Sequence, residues 1–392
     1  MTLGLVGKKI GMSREFLESG TSVPVTVVRV EKGRVIDVYN KEKNGYSAIK
    51  LGFLKIKSSK LTSQMKGFFA KKNTEPKKVL KELSKRSDWH GIKHIFIWIV
   101  ILVFSGYMAF LTWGTWWCVF WFLVYGNIYL FSDPIRHECG HRNAFKSRWL
   151  NEFFYYLTSF MFNYEPIRWR WSHFHHHTYT LHTKEHYDHE IQVTKPTDLL
   201  WLFIYHLPLG NLFFYKSNVA FHLETIKHAL GIKTQVVKDC VPPKEYSKLG
   251  ISARIFVLFW ILIISSSIYF TTWLPVLYLL LPFIYGSTLI HSVHFVQHAG
   301  LANNVMDHRL TTRSVKLNPL LNFLCWNMEY HLEHHMFPMV PAYNLKKLHN
   351  AVKDQMPKPK NGFLDAYKEI LPAIFKQAYD PNYRLEVKLP NI

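Results

Sequence analysis

The sequence predicts a mainly α-helical integral-membrane protein of four spans, its histidines gathered at one membrane face, preceded by a small β-rich segment. Three observations predict it: two long stretches free of charged side chains, three tight histidine clusters beside them, and a lysine-rich, alternating beginning.

The two parts differ in composition. All 22 histidines lie beyond residue 84, whereas residues 1–84 hold 18 Lys and Arg against 7 Asp and Glu, a net of +11, out of +21 for the 392 residues. Dense positive charge without histidine or tryptophan suits a polyanion partner such as RNA, while the remainder concentrates apolar runs as a membrane protein does. Val23 to Val30 alternates as a strand, Glu31-Lys32-Gly33 reads as a turn and Arg34 to Val38 as a second strand, the start of a partial β-barrel. Lys71 to Lys85 is lysine-rich and weakly helical, and Ser84-Lys85-Arg86-Ser87 carries no core-forming residue. The boundary therefore falls there, giving domains 1–84 and 85–392.

From His94 to Phe131 there is no Asp, Glu, Lys or Arg, long enough for two helices broken near Thr112-Trp113-Gly114-Thr115. A second uncharged stretch, Ile255 to Met306, is apolar through Phe270, broken at Thr271 to Pro275, and apolar again to about Tyr285. Both connecting turns lack charge, whereas Lys93, Arg136, Arg142, Lys146, Arg254, Arg309 and Arg313 lie beyond the other ends, which places both termini in the cytoplasm. Phe153 to Phe162 and Leu199 to Phe214, the latter interrupted by His206, Pro208 and Gly210, fit interfacial or re-entrant helices. No secretory signal is read at Met1 to Gly20, which Lys8, Lys9, Arg14 and Glu15 interrupt. Cys118, Cys139, Cys240 and Cys325 are scattered without a CxxC pair, as reduced, cytosol-facing chemistry would leave them.

The clusters are His137-Glu138-Cys139-Gly140-His141, His173-Phe174-His175-His176-His177 and His331-Leu332-Glu333-His334-His335. Positions i, i+3 and i+4 share a helix face, so each cluster can aim two or three imidazoles at one point. An even number of predicted spans separates them, so all meet at the cytosolic face. Eight imidazoles exceed one tetrahedral zinc but suit two metals with positions left open, and nitrogen ligation without thiolate or carboxylate favours a redox metal such as iron. His294 and His298 sit one turn apart at the end of the fourth span, where an uncompensated polar group is costly, and His298 is a candidate ninth ligand. His175, His182, His186, His189, His206, His291 and His308 add no second residue at ligand spacing and read as ordinary surface or core histidines. Asp307, His308, Arg309, Thr312 and Arg313 form a polar cluster that could hold an acidic head group or simply a solvated basic turn.

The three boxes in this order, between two membrane hairpins, with Tyr330-His331-Leu332-Glu333-His334-His335-Met336-Phe337-Pro338, resemble the membrane fatty acid desaturase family over about residues 87–370. The resemblance implies a desaturase-like domain of the bacterial inner membrane in which two iron ions, O2 and two electrons remove two hydrogens from an acyl chain carried by a membrane lipid or a thioester. It implies His137, His141, His173, His176, His177, His331, His334 and His335 as iron ligands, a further one where His298 falls, and a bridging water at His294. A related hydroxylase or carotenoid ketolase shares the boxes, and a zinc membrane protein without redox chemistry, or a transporter with intramembrane histidines, is the reading from another class. No haem motif, CxxC pair or iron–sulfur spacing is present, so electrons are expected from a separate ferredoxin or rubredoxin and its reductase.

Leu3 to Ser13, Val23 to Val27, Gly45 to Phe53, Phe68 to Lys72 and Glu75 to Leu80 resemble the start of bacterial large-subunit ribosomal protein three. That resemblance implies rRNA contact through lysine–phosphate pairing. The later barrel strands of that family are replaced here, which would leave strand edges unpaired, so a working ribosomal subunit is not expected.

Overall fold

The computed structural model describes residues 7–16, 22–30, 34–39, 48–52, 74–204, 207, 218–380 and 383–390. The chain divides into two compact units, Met1–Val79 and Leu80–Ile392, a few residues ahead of the boundary read from the sequence.

In the first unit β1 (Gly7–Phe16) pairs antiparallel with β2 (Ser22–Val30), Gly7 opposite Val30 and Phe16 opposite Ser22, with a register shift between Lys9 and Gly11. β3 (Arg34–Tyr39) pairs with β4 (Ala48–Gly52). Among the described residues these are two separate two-stranded ladders and not a closed barrel. The turn expected at Glu31-Lys32-Gly33 and the segment Phe68 to Lys72 lie outside the described residues. Helix α1 is Thr74–Leu83.

The second unit is helical. Three stretches are long and apolar enough to cross a membrane: Asp88–Leu111, Trp116–Gly140 and Pro243–Tyr269. The first is α2 (Asp88–Leu111); the second comprises α3 (Trp116–Leu130) and α4 (Ser132–Gly140). Asp88 ties the foot of α2 to the next loop, its Oδ1 accepting from Ser147 N at 2.7 Å and its Oδ2 from Ser147 Oγ at 2.6 Å. At the far end the turn closes on Gly114, whose φ of 83° suits a residue without Cβ. Helices α5 (Arg148–Met161) and α6 (Pro166–Thr178) follow, then α7 (Pro196–Ile204), α8 (Asn218–Ala229), α9 (Gln235–Cys240) and α10 (Tyr246–Tyr269), the third apolar stretch. Phe153 to Met161 belongs to α5 and Phe162 caps its end, with Tyr155 buried and Phe153 exposed. Of the expected Leu199 to Phe214 segment, α7 holds the first part, while His206 and residues 208–214 lie outside the described residues.

The fourth span expected as one helix is instead broken into α11 (Leu274–Leu279), α12 (Pro282–Tyr285) and α13 (Thr288–His298). Pro282 has no amide proton to give Tyr278, and Gly286 allows the chain to bend. The carbonyls left without helical partners are taken by phenols: Tyr285 OH donates to Leu277 O at 2.9 Å, Tyr125 OH to Tyr278 O at 3.0 Å and Tyr129 OH to Leu279 O at 3.1 Å. Gly286 also meets Gly126 of α3 so closely that a Cβ on it would strike the Gly126 backbone. The apolar outer faces of α2 and α10 are exposed, including Phe96, Val103, Leu258 and Leu262, as lipid contact requires. Exposed Trp113, Trp116, Trp117, Tyr269 and Trp273 rim the two distal turns.

The chain closes with α14 (His308–Thr311), α15 (Pro319–Leu324), α16 (His331–Met336), α17 (Leu345–Val352) and α18 (Gly362–Tyr379).

Candidate metal centre

Four helices carry the clustered histidines. α4 presents His137 and ends at His141; α6 presents His173, His176 and His177 on one face; α13 ends at His298; α16 presents His331, His334 and His335. Local sequence explains the supports. Pro166 opens α6 at a position that needs no amide proton, and Glu165 caps it, accepting from Ile167 N at 3.1 Å and Arg168 N at 2.6 Å. Arg313 closes α13 by donating to Val296 O at 2.7 Å and Ala299 O at 3.1 Å.

The ligand atoms of His137, His141, His173, His177 and His334 lie within 4.8 Å of one another, as do those of His176, His298 and His335. His331 joins the second group, its Nε2 at 3.0 Å from His298 Nε2 and 3.1 Å from His335 Nε2. All nine candidate ligands thus fall into adjoining groups of five and four, the stacked rings of His177 and His335 standing 4.3 Å apart between them.

The donor set fits metal ions. His141 Nε2 and His177 Nε2 both stand 3.1 Å from His173 Nε2, and both ring nitrogens of His137 and His334 are buried without hydrogen bonds among the described residues. One N–H can bridge a pair of imidazoles at this distance, but His173 Nε2 faces two of them, and a metal ion can take the lone pairs of all three. Five imidazoles in one group and four in the other could each hold a metal ion, with the residues contributing nitrogen donors alone.

Neighbouring groups fix which nitrogen faces inward. His176 Nδ1 lies 2.8 Å from Asp188 Oδ2 and His298 Nδ1 2.9 Å from Thr311 O, so in each ring the outer nitrogen holds the proton and Nε2 turns to the centre. Glu138 Oε1 stands 3.7 Å from His334 Nδ1 and 3.9 Å from His137 Nδ1. Glu333 of the third box accepts from Ser314 Oγ at 2.8 Å and pairs with His349 at 2.5 Å. Burial pushes His141 down to about 3 and holds His334 well below the usual imidazole range, keeping both neutral. Burial opposes the charge on His176 as well, but the Asp188 carboxylate beside it raises that histidine.

Other candidates lie elsewhere. His175 turns its Nε2 to His186 O at 3.1 Å, away from the centre. His294 lies outside both groups, its Nε2 2.9 Å from Asp133 Oδ2. The polar cluster after α13 is largely occupied within the protein: Arg309 pairs with Asp307 at 2.7 Å and Arg313 with Glu369 at 2.7 Å. Sequence reasoning missed Asp188, because it reaches His176 through a loop and not at helical spacing. It also missed Glu138 and Glu333, whose position inside the histidine boxes was an available signal.

Comparison with known proteins separates the two parts. The N-terminal segment, about 80 residues, matches a ribosomal protein. Large ribosomal subunit protein uL3 of Pelagibacter ubique is 64% identical over 80 residues, which are 20% of this chain and 34% of that protein. The uL3 proteins of Nitrosomonas eutropha and Hydrogenobaculum are 49% and 45% identical over 82 and 80 residues, 38% and 34% of their lengths and 21% and 20% of this chain. The chain therefore spans little more than a third of these relatives. The family model described as Fatty acid desaturase matches residues 112–365, a range that contains every histidine of the centre. On that match, covering well over half of the sequence, the chain belongs to the fatty acid desaturase family.

Proposed function

We propose that residues 85–392 form an O2-dependent di-iron desaturase that introduces a double bond into an acyl chain at the cytoplasmic face of the bacterial inner membrane. The observation that carries this is the convergence of nine histidines into adjoining groups of five and four, with N–N spacings of 3.0–3.1 Å. His137, His141, His173, His177 and His334 would hold one iron, and His176, His298, His331 and His335 the other. Bound iron would supply O2 activation, with electrons from a separate ferredoxin or rubredoxin.

The chain's own residues supply position and surroundings. Asp188 and Thr311 orient His176 and His298, and Phe162, Ile290, Val293 and Met328 give the adjoining cavity an apolar side. The broken fourth segment completes a four-span arrangement with both termini cytoplasmic, its interruptions sheltered by protein instead of lipid. The lysines of residues 1–84 are suited to phosphate contact with rRNA, but only the first part of the ribosomal relatives' length is present.

The deciding experiment measures metal content and lipid products of cells expressing the protein with a ferredoxin and its reductase. About two irons per chain and new double bonds support the reading. Iron with new hydroxyls instead points to the related hydroxylase, and zinc alone, with no lipid product, sinks both.

A further inference from the structure

Away from the histidine groups, a cavity of about 280 Å³ lies between α8, α9 and α10, and no step of the proposed reaction uses it. It sits where α10 meets the membrane. Ile255 to Tyr269 carries no charged side chain, and about 20 residues, one hydrocarbon thickness of helix, counted back from Tyr269 reach Gly250 on the cavity wall. The cavity therefore opens where acyl chains give way to head groups, at the end of α10 opposite the distal turns.

Local sequence sets two cations on its wall. Gly231, at a φ of 83°, ends α8 in a turn in which its own N–H donates to His228 O at 3.0 Å and that of Ile232 to Lys227 O at 2.9 Å. The Ala229 carbonyl beside this turn accepts from Arg254 Nε at 2.9 Å, and Arg254, an exposed residue, spends only that nitrogen on the bond. Lys233 is exposed too, its Nζ 4.4 Å from the Tyr246 ring centroid. Among the described residues no acid lines the cavity. The acids nearest in sequence are engaged elsewhere: Glu224 with Arg168 at 3.2 Å and Thr234 at 3.0 Å, Asp239 with His189 at 2.8 Å, and Glu245 with Lys248 at 2.9 Å. Around the mouth, Leu230, Ile232 and Ile251 are 73%, 51% and 53% exposed, an apolar rim that acyl chains would cover.

We propose that this cavity binds the head group of an anionic phospholipid, its phosphate between Lys233 and Arg254 and its acyl chains along Ile232, Ile251 and Ile255. Two cations alone would suit any phosphate, but an exposed apolar rim at this depth suits a phosphate with chains attached. Phosphatidylglycerol, whose phosphodiester keeps its negative charge, is favoured over phosphatidylcholine, whose choline would bring a third cation to a wall without an acid. The inference rests on α10 crossing the membrane and not on the oxidase reading.

The test titrates the full chain in dodecyl maltoside with phosphatidylglycerol or phosphatidylcholine, reads the fraction carrying lipid by native mass spectrometry, and repeats the first series with inorganic phosphate as competitor. Phosphatidylglycerol is expected to bind about 10- to 30-fold tighter than phosphatidylcholine, about five-fold for each cation. Lys233→Gln together with Arg254→Gln should remove that preference. Lys238→Gln together with Lys244→Gln, which strips the same charge from exposed lysines outside the cavity, should keep it. Equal binding of the two lipids, an unchanged preference in the cavity variant, or an equal loss in the outside variant overturns the proposal. Displacement by inorganic phosphate at the affinity of the lipid means a free-phosphate site and overturns the lipid assignment. Should the cavity variant fail to fold, Lys233→Gln alone decides, with a loss of about five-fold expected and no loss overturning the proposal. Binding is read without turnover, so the result judges this site whether or not the oxidase reading stands.

Discussion

His176 can offer Nε2 to the centre because Asp188 occupies its Nδ1 at 2.8 Å, and the same carboxylate takes the amides of Leu181 and Glu190 at 2.9 Å each, so one acid fixes both a ligand and its loop. Asp188→Asn is expected to weaken metal binding about 10- to 100-fold, read by titration with a competing chelator. His334→Ala removes an imidazole outright and should abolish product and lower bound iron, with full activity refuting its assignment. pH enters through the same buried rings. His141 is depressed to about 3, so as pH falls through the ordinary imidazole range the unfolded chain takes up a proton that the folded chain refuses. The Tm of chelator-treated protein should therefore drop as pH falls from 7 to 5, and a Tm independent of pH would contradict neutral, buried rings. The box histidines were legible because i, i+3 and i+4 spacing is itself geometry. Asp188 was not, because only the folded loop brings it back.

The broken fourth segment is the element whose composition was readable and whose shape was not. An uncharged stretch says that a segment belongs in lipid, but whether Pro282 ends the helix depends on partners for the freed carbonyls, and these come from Tyr125 and Tyr129 on α3. Tyr125→Phe strips one carbonyl of its donor and is expected to cost about 1–3 kcal/mol, measurable as reduced resistance to unfolding in detergent. Gly286→Ala should cost more, because the new methyl meets Gly126 backbone that has nowhere to move. Equal stability of the wild type and the alanine variant would mean that the α3 crossing is looser than described.

On the scale of the whole molecule, residues 1–84 carry a net +11 of the chain's +21, and the contacts divide the chain between Val79 and Leu80. Among the described residues the strands of the first segment form two separate ladders, so local alternation was legible there and barrel closure was not. Residues 85–392 expressed alone are expected to keep the metal content of the full chain, as measured by elemental analysis. Loss of metal on removing the first segment would make that segment part of the enzyme and not a passenger. The tryptophans and tyrosine rimming the two distal turns have a consequence for supply. In the proposed four-span arrangement they would anchor at one surface and the histidine end would stand at the opposite one. On the proposed function, a nonpolar gas and an acyl chain would then arrive sideways through hydrocarbon and an electron-carrying protein from water, so the two deliveries would not compete for one doorway.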